Sequence, residues 1–292
     1  MRLATLSLSG TATLCVRLGD AYHPVATAAA GLPGDLAGFL AAGAEARARL
    51  EAALAAPAQG AGIPAASAQY LPVLPTPGKI VCLGLNYTDH AAEGGFAKPD
   101  YPAIFLRTPS SLVAHGADLM RPLQSEQFDY EVELAVIIGK QTRRVPTEDA
   151  LSSVAGYSVF NDGSVRDYQF KSSQWTMGKN FDGTGSFGPE FVSADELPAG
   201  AEGLRVTTRL NGTLVQNADT ADMIFDVATT IAMLSECMTL EIGDVIVMGT
   251  PSGVGFARTP QLWMKPGDVC ECAIEGIGSL RNPIAQEKPG GM

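Results

Sequence analysis

The stretch FDYEVELAVIIG, residues 128–139, carries the strongest structural signal in the chain. Glu131 and Glu133 lie two residues apart, so in an extended strand both carboxylates leave the same face while Val132 occupies the other. The apolar run that continues through residues 135–138 indicates a strand entering the protein interior. Two bare carboxylates would be costly there, and a bound cation would remove that cost.

A third carboxylate, that of Asp162, follows a second apolar run at residues 157–160. It can join the pair if the two strands are neighbours, and an all-carboxylate set favours Mg²⁺, Mn²⁺ or Ca²⁺ over Zn²⁺, which prefers His and Cys. We therefore predict a divalent metal site made of Glu131, Glu133 and Asp162, with Mg²⁺ as the first choice. The alternative is that the Glu pair forms the solvated face of an amphipathic strand, which is the commoner origin of such a pattern.

The overall charge argues against a nucleic-acid partner. The 292 residues include 20 basic and 31 acidic side chains, a net charge of −11, and no basic stripe. An anionic substrate would therefore need local attraction, from a metal and from placed cations such as Arg166 and Lys179. No apolar run approaches the roughly 20 residues of a membrane span, and 5 cysteines without a C-x-x-C motif indicate neither disulfides nor a zinc knuckle. We expect a cytoplasmic protein with no membrane partner.

The N-terminal part differs from the rest of the chain in its residue pattern. Residues 1–75 begin with a hairpin pattern around Gly10, followed by an alanine-rich helical segment at 35–56 with Asp35 as a candidate N-cap. A proline-rich connector that cannot continue a helix comes next. We predict a small N-terminal α+β domain at 1–75 and a catalytic, metal-binding domain at 76–292.

The larger region consists mostly of short apolar runs bounded by Gly and Pro, a pattern typical of strands. The clearest helix candidate is the segment 224–238, and the Asn211-Gly212 pair between two alternating runs predicts a tight hairpin. The fold class expected from these patterns is mainly β with some α.

Between Lys79 and Asn282 a series of motifs resembles, in the same order, the catalytic domain of the fumarylacetoacetate hydrolase family. The motifs are GLNYTDHAAE, YEVELAVIIGK, VAGYSVFNDGSVRD, WTMGKNFD, MTLEIGDVIVMGTPSGVG, LWMKPGD and IEGIGSLRN. Each is weak alone, but their joint order over about 200 residues is specific. The N-terminal domain contains no comparable motif.

The resemblance implies a mixed β-roll as the fold of the catalytic domain, a homodimer, and a divalent metal held by Glu131, Glu133 and Asp162. Members of the family act on 2-oxo acids or 1,3-diketo acids. Some hydrolyse a carbon–carbon bond, and others decarboxylate, isomerise or hydrate. The partner implied for this chain is a small anionic 2-oxo or diketo acid, which would chelate the metal through its carboxylate and keto oxygens.

Three residues match catalytic positions of the family. His90 and Glu93 in NYTDHAAE are three apart, so in a helical turn Glu93 can orient His90 to remove a proton from water. Lys179 in WTMGKNFD resembles the family's active-site lysine, which is suited to stabilising an oxyanion or an enolate. The alternatives are an ordinary surface or core histidine and a solvated lysine.

Four residues match positions that contact substrate in the family. Arg166 and Gln169 in GSVRDYQ could donate hydrogen bonds to a second carbonyl, although Arg166 could equally pair with Asp167. The segment MGTPSGVG resembles a carboxylate-binding loop, in which Gly249 and Thr250 would offer a backbone N–H and a hydroxyl group. A tight glycine turn without a ligand is the alternative.

Two further features concern the shape of the pocket. Residues 91–102 resemble a lid, with Gly94 and Gly95 as its hinge. Gly163 replaces a larger apolar side chain found in many members, and the segment 183–186 is unusually small. Both are expected to enlarge the pocket at the distal end of the substrate.

The function expected first is hydrolysis of a carbon–carbon bond in an acylpyruvate or a related 2,4-diketo acid, because the His90 and Glu93 pair is intact. The second is a 2-oxo diacid decarboxylase, or a hydroxy-dienoate isomerase or hydratase, on the same scaffold. A binding protein that has lost catalysis is a third hypothesis, which the complete set of site residues disfavours.

Overall fold

The computed structural model describes residues 1–55, 62–93 and 99–289, without the side chains of residues 91 and 92. In chain order the strands are β1 (Arg2–Leu8), β2 (Thr11–Leu18), β3 (Ala21–Pro24), β4 (Ile63–Pro64), β5 (Ile80–Gly84), β6 (Ala103–Arg107), β7 (Leu112–Val113), β8 (Leu119–Arg121), β9 (Phe128–Asp129), β10 (Val132–Ile138), β11 (Val154–Asn161), β12 (Ser164–Val165), β13 (Gly185–Ser193), β14 (Arg205–Leu210), β15 (Thr213–Asp219), β16 (Val245–Val247), β17 (Val269–Ile274) and β18 (Gly278–Gln286). The helices are α1 (Val25–Ala28), α2 (Leu36–Ala41), α3 (Gly43–Leu54), α4 (Thr88–Glu93), α5 (Thr147–Ala150), α6 (Arg166–Gln169), α7 (Thr176–Lys179) and α8 (Val227–Cys237).

Most strands in the described ranges belong to one large sheet. It has eleven strands in the order β4-β3-β2-β1-β13-β11-β10-β16-β5-β6, with β7 paired to β13. The same ranges also hold a five-stranded sheet, β15-β14-β17-β18-β8, and a short β12-β9 pair. Most pairs are antiparallel, whereas β16 runs parallel to β5, β18 parallel to β8 and β13 parallel to β7. The fold is therefore mixed and mainly β with some α, which confirms the predicted fold class.

Strand β10 lies inside the large sheet and is buried along its whole length. Val132 and the even-numbered residues after it enter one apolar core, whereas Ala135 and Ile137 enter another. This burial on both faces explains why the strand reads as a continuous apolar run. Glu133, and Glu131 just before the strand, share the face of Ala135 and Ile137.

The register between β10 and β11 brings the third carboxylate to the same end of the sheet. Glu133 pairs with Phe160 in an antiparallel ladder. The ladder continues beyond the strand ends, because the Asp162 N–H donates to the Glu131 carbonyl oxygen at 2.8 Å. The predicted pairing of the two strands is thus confirmed.

The N-terminal strands extend the large sheet. Strand β1 pairs with β2 in the predicted hairpin and with β13 on its other edge. The alanine-rich segment forms two helices instead of one, because Gly43 ends α2 with a left-handed φ of 67°. Asp35 caps α2 as predicted and accepts from the Gly38 N–H at 2.8 Å. Residue 56, the predicted end of the segment, lies outside the described residues, and the domain boundary near residue 75 stays a prediction.

Two predictions about local structure in the larger region are also confirmed. Asn211 and Gly212 connect β14 to β15 with φ values of 52° and 80°, the left-handed pair that a tight hairpin needs. The helix predicted at 224–238 is α8, which Asp226 caps by accepting from the Thr229 N–H at 2.7 Å. In the described ranges no helix is long and apolar enough to cross a membrane.

A buried carboxylate joins the N-terminal strands to the rest of the sheet. The side chain of Glu190 on β13 is only 2% exposed. Strands β1, β2 and β3 each supply one donor to it, and these are Arg2 Nη1 at 3.3 Å, Arg17 Nη1 at 3.2 Å and Tyr22 Oη at 2.6 Å. The carboxylate therefore links four strands of the sheet.

We expect Glu190→Gln to lower the free energy of unfolding by about 1–3 kcal/mol, because buried and half-buried donors lose a charged acceptor. Urea denaturation measures the change. The control is Glu51→Gln, which alters an exposed pair with Arg47 and should cost under about 0.5 kcal/mol. A loss no larger than that of the control would show that Glu190 does not stabilise the joined strands.

Candidate active site

The three carboxylates predicted to bind a metal come together at the start of β10. One oxygen from each of Glu131, Glu133 and Asp162 lies within 4.8 Å of the others. The three residues are 3%, 2% and 0% exposed, respectively. The alternative of a solvated strand face is therefore wrong for the Glu pair.

Two arginines and one backbone N–H each bind one oxygen of a carboxylate in this cluster. The pairs are Arg107 Nη1 with Asp162 Oδ1 at 2.5 Å, Arg166 Nη2 with Glu131 Oε1 at 2.6 Å, and the Gly249 N–H with Glu133 Oε2 at 2.5 Å. Each carboxylate keeps one oxygen that these three donors do not use, and in Glu131 and Asp162 that oxygen meets Lys179.

Lys179 on α7 places its ammonium group against two of the carboxylates. Nζ donates to Oε2 of Glu131 and to Oδ2 of Asp162, both at 2.6 Å. It also lies 4.9 Å from the centroid of the Phe105 ring. The side chain is buried, so the alternative of a solvated surface lysine is wrong.

The three carboxylates of the cluster differ in how far neighbouring positive charges compensate their negative charge. Burial raises the pKa of Glu133 well above its ordinary value, and the neighbouring Asp162 and Glu131 raise it further. Burial acts on the pKa of Glu131 in the same direction, but Arg166 and Lys179 outweigh it and hold that pKa below its usual range. Across the described residues, Glu133 forms no salt bridge with a cationic side chain. It is therefore the buried carboxylate that most needs a further positive charge.

The donor set fits a hard divalent cation. Carboxylate oxygens are the ligands that Mg²⁺, Mn²⁺ and Ca²⁺ prefer, and three of them converge here. The residues that would hold the ion are Glu131, Glu133 and Asp162. A bound divalent ion would supply a Lewis acid that polarises a ketone of the substrate.

His90 and Glu93 lie on α4 and meet as their spacing predicts. Nδ1 of His90 is 2.9 Å from Oε1 of Glu93, and the Glu93 carboxylate also accepts from the Gly253 N–H at 2.9 Å. Both residues line the same pocket as Glu131 and Glu133. Because Glu93 binds Nδ1, Nε2 is the ring atom left to exchange a proton with a substrate.

The predicted lid lies only partly within the described residues. Its hinge, Gly94 and Gly95, falls outside them. Glu93 at the end of α4 contacts the loop of Gly253 and lines the pocket, and the movement of the segment as a lid stays a prediction.

Arg166 and Gln169 line the pocket next to the cluster. Arg166 Nε donates to Oδ2 of Asp129 at 2.8 Å, and Nη1 donates to Oε1 of Gln169 at 2.9 Å. Asp167, the other partner considered for Arg166, instead accepts a hydrogen bond from Ser125. The Arg166 guanidinium is therefore held in one orientation beside the carboxylates.

The two residues singled out in the glycine loop have different surroundings. Gly249 has a φ of 88°, and a Cβ there would lie 2.8 Å from Cβ of Asn86, so the position requires glycine. Its N–H is used by Glu133, which makes it a support of the carboxylate cluster. Thr250 lines the pocket, and its hydroxyl accepts from Gln216 Nε2 at 2.9 Å.

Four aromatic side chains also line the pocket. Phe105 and Trp175 pack with ring centroids 5.7 Å apart, and Phe170 and Phe256 with centroids 4.9 Å apart. Gly84 is required beneath the first pair, because a Cβ there would lie 2.1 Å from the Trp175 ring. Charged groups next to an aromatic lining suit a small organic anion.

The small residues expected to enlarge the pocket do not do so, and that prediction is wrong. Neither Gly163 nor the segment 183–186 lines the pocket. A Cβ at Gly163 would lie 2.0 Å from the Thr184 carbonyl oxygen, and one at Gly185 would lie 2.5 Å from Nη2 of Arg107. Neither position opens the pocket, because other parts of the chain occupy the space.

We expect Gly163→Ala to lower the free energy of unfolding by about 1–3 kcal/mol, because the added methyl group has no room beside a backbone carbonyl. The control is Gly34→Ala, where a Cβ would meet no atom within 4 Å and the cost should stay under about 0.5 kcal/mol. Thermal and urea unfolding measure both variants. Equal stability of the two variants would contradict the packing argument.

Two buried charged residues beside the cluster were missed by the sequence reasoning. Arg107 binds one of the carboxylates, and Asp129 binds Arg166 and the N–H of Gly255 at 2.8 Å. The signals were present but weak. Asp129 continues the two-residue spacing one step before Glu131, and Arg107 ends the apolar run AIFLR.

The family model described as fumarylacetoacetate (FAA) hydrolase C-terminal matches residues 79–285. Over 218 residues the chain is 44% identical to the fumarylacetoacetate hydrolase domain-containing protein 2 homolog of Dictyostelium discoideum, a match that covers 71% of this chain and 72% of that protein. It is 39% identical over 224 residues to the mitochondrial oxaloacetate tautomerase FAHD2A of Homo sapiens, covering 76% and 71% of the two chains.

The structure resembles that of maleylpyruvate hydrolase from Sphingobium sp. SYK-6 in complex with manganese(II) and pyruvate. The TM-score is 0.82 at 30% sequence identity, and the match covers 99% of this chain and 100% of that chain. The family model spans all residues of the candidate site, from the strand before His90 to the glycine loop. The chain therefore belongs to the fumarylacetoacetate hydrolase family.

Proposed function

We propose that the protein transfers a proton at the carbon next to the ketone of a 2-oxo acid. The first candidate reaction is the keto–enol tautomerisation of a 2-oxo diacid such as oxaloacetate. One observation carries the proposal: the His90 imidazole and the Lys179 ammonium line the same pocket beside three buried carboxylates. This proton transfer needs a base and a cationic group that binds the reacting oxygen.

In the proposed reaction His90 accepts the proton from carbon through Nε2, since Glu93 binds Nδ1. Lys179 stabilises the negative charge that develops on the ketone oxygen, which then takes up a proton from solvent and becomes the enol hydroxyl, while His90 releases its proton to solvent. Arg166 and Gln169 bind oxygen atoms at the far end of the substrate. Bonds between heavy atoms stay intact, so substrate and product are isomers.

Two relatives support this proposal. The human relative, 39% identical, is named an oxaloacetate tautomerase. The maleylpyruvate hydrolase with the same fold holds manganese and pyruvate, which is itself a 2-oxo acid. We therefore propose a divalent metal as the cofactor, with Mg²⁺ first and Mn²⁺ or Ca²⁺ as alternatives, and a small anionic 2-oxo or diketo acid as the substrate.

The second candidate is hydrolysis of a carbon–carbon bond in an acylpyruvate or another 2,4-diketo acid. The hydrogen bond between His90 and Glu93 favours it, because a histidine oriented by a carboxylate can remove a proton from water. The resulting hydroxide would add to the distal carbonyl and the carbon–carbon bond would break. The departing enolate would take up a proton to give the second acid product.

Assays with oxaloacetate and with acetylpyruvate, each with Mg²⁺ or Mn²⁺ and with a chelator, separate the candidates. Tautomerisation predicts faster interconversion of enol and keto oxaloacetate, followed by enol absorbance, without release of carbon dioxide. Hydrolysis predicts loss of acetylpyruvate absorbance, with acetate and pyruvate formed in equal amounts. Carbon dioxide release would favour a decarboxylase, and no metal-dependent change with either compound would contradict both candidates.

A homodimer and a cytoplasmic location stay predictions from the sequence. Light scattering tests the first of them. We expect a molar mass near twice the 30.4 kDa of one chain, and a mass of one chain at assay concentration would contradict it.

A further inference from the structure

Arg107 is a buried cation beside the carboxylate cluster, and the proposed reaction assigns it no chemical step. It is the last residue of β6, the edge strand of the large sheet. Its side chain is nevertheless 0% exposed. A buried guanidinium is costly unless every donor finds a partner, so its surroundings indicate what it does.

The guanidinium donates to four oxygen atoms around it. These are Asp162 Oδ1 at 2.5 Å, Thr184 Oγ1 at 3.0 Å, the Gly163 carbonyl at 3.1 Å and Ser111 Oγ at 3.2 Å. A planar group bonded on several sides can adopt only one orientation. Gly185 leaves the space for it, since a Cβ there would lie 2.5 Å from Nη2.

Arg107 occupies one oxygen of Asp162 and leaves the other for the cluster. Oδ2 of Asp162 is the oxygen that meets Lys179 Nζ, which also binds Glu131. The terminal torsion of an aspartate has a broad energy well, so without the bond to Oδ1 the carboxylate could rotate. Either oxygen of Asp162 could then take the position that Oδ2 has in the cluster.

We propose that Arg107 is a positioning residue of the metal site, which fixes Asp162 so that Oδ2 is directed toward Glu131 and Glu133. This inference rests on the metal binding that the proposed function includes. Arg107 touches neither the pocket nor a substrate position among the described residues. Its effect should therefore be visible in metal affinity itself, in the absence of any substrate.

The test is the dissociation constant for Mn²⁺, measured by isothermal titration calorimetry on the purified, chelator-treated full chain. Arg107→Met should raise it about 10–100-fold, the usual effect of losing an outer hydrogen bond to a metal ligand. Arg107→Lys keeps the charge but not the planar fork, so it should fall between wild type and Arg107→Met. Gly185→Ala should also weaken binding, because its methyl group displaces the guanidinium.

The matched control is Ser111→Ala, which removes a hydrogen bond from Arg107 but not the one to Asp162. Its affinity should stay within about twofold of wild type. Circular dichroism identifies folded variants, and if Arg107→Met does not fold, Arg107→Lys and Gly185→Ala decide the matter.

Wild-type affinity in the folded Arg107 and Gly185 variants would overturn the inference. So would an equal loss in these variants and in Ser111→Ala, because that result would mean general packing. If the wild-type protein itself binds no Mn²⁺, the proposed function fails. If the wild-type protein binds Mn²⁺ tightly and the variants bind it equally well, only the role of Arg107 fails.

Discussion

Glu133→Gln is expected to lower kcat/KM at least about 1,000-fold, which corresponds to about 4 kcal/mol. Glutamine keeps the size of the side chain and can still accept the Gly249 N–H bond, but one of three anionic ligands is lost. The stability of the chelator-treated protein at neutral pH should stay the same or rise. Burial and the neighbouring carboxylates raise the pKa of Glu133 in the folded protein. At a pH above the ordinary pKa of a glutamate, folding this side chain therefore costs free energy, and a neutral amide avoids that cost.

Steady-state kinetics and thermal unfolding with a chelator measure the two opposite effects. Glu190→Gln is the matched control, since it makes the same change at another buried glutamate of the large sheet. That control should lose stability and keep metal affinity. Full metal-dependent activity in Glu133→Gln would show that the reaction does not use this cluster.

His90→Ala is expected to lower kcat by about 10²–10⁴-fold, the range for loss of a general base. Metal affinity should change little, because His90 is not among the three residues proposed to bind the metal. Glu93→Gln should lower kcat less, because the amide can still bond Nδ1 but no longer stabilises the charged imidazolium.

The control for the histidine is His23→Ala, which removes a histidine of strand β3, outside the pocket. Single-turnover kinetics and Mn²⁺ titrations on all three variants separate chemistry from metal binding. Unchanged turnover in His90→Ala would remove this residue from the proton transfer and leave another group as the base.

The carboxylate cluster could be predicted from the sequence because its geometry is local. The spacing of Glu131 and Glu133 fixes their common face in any strand, and the apolar neighbours predict burial. Asp162 required one more assumption, that two apolar runs pair, and the observed register satisfies it. The contact between His90 and Glu93 likewise follows from helical spacing.

The donors around the cluster could not be predicted in this way because they come from distant parts of the chain. Arg107 lies 55 residues before Asp162, and Gly249 lies 116 residues after Glu133. Such contacts depend on strand order, which no short-range spacing determines. Gly163 was misinterpreted for the same reason, since a backbone carbonyl of another segment lies where the pocket was expected.

We propose that Glu131, Glu133 and Asp162 together hold a divalent cation on which the chemistry depends. Anomalous diffraction from crystals grown with Mn²⁺, recorded near the manganese absorption edge, tests it most directly. We expect one strong peak between the three carboxylates. Well-ordered side chains with no peak between them, at Mn²⁺ concentrations that support activity, would contradict it.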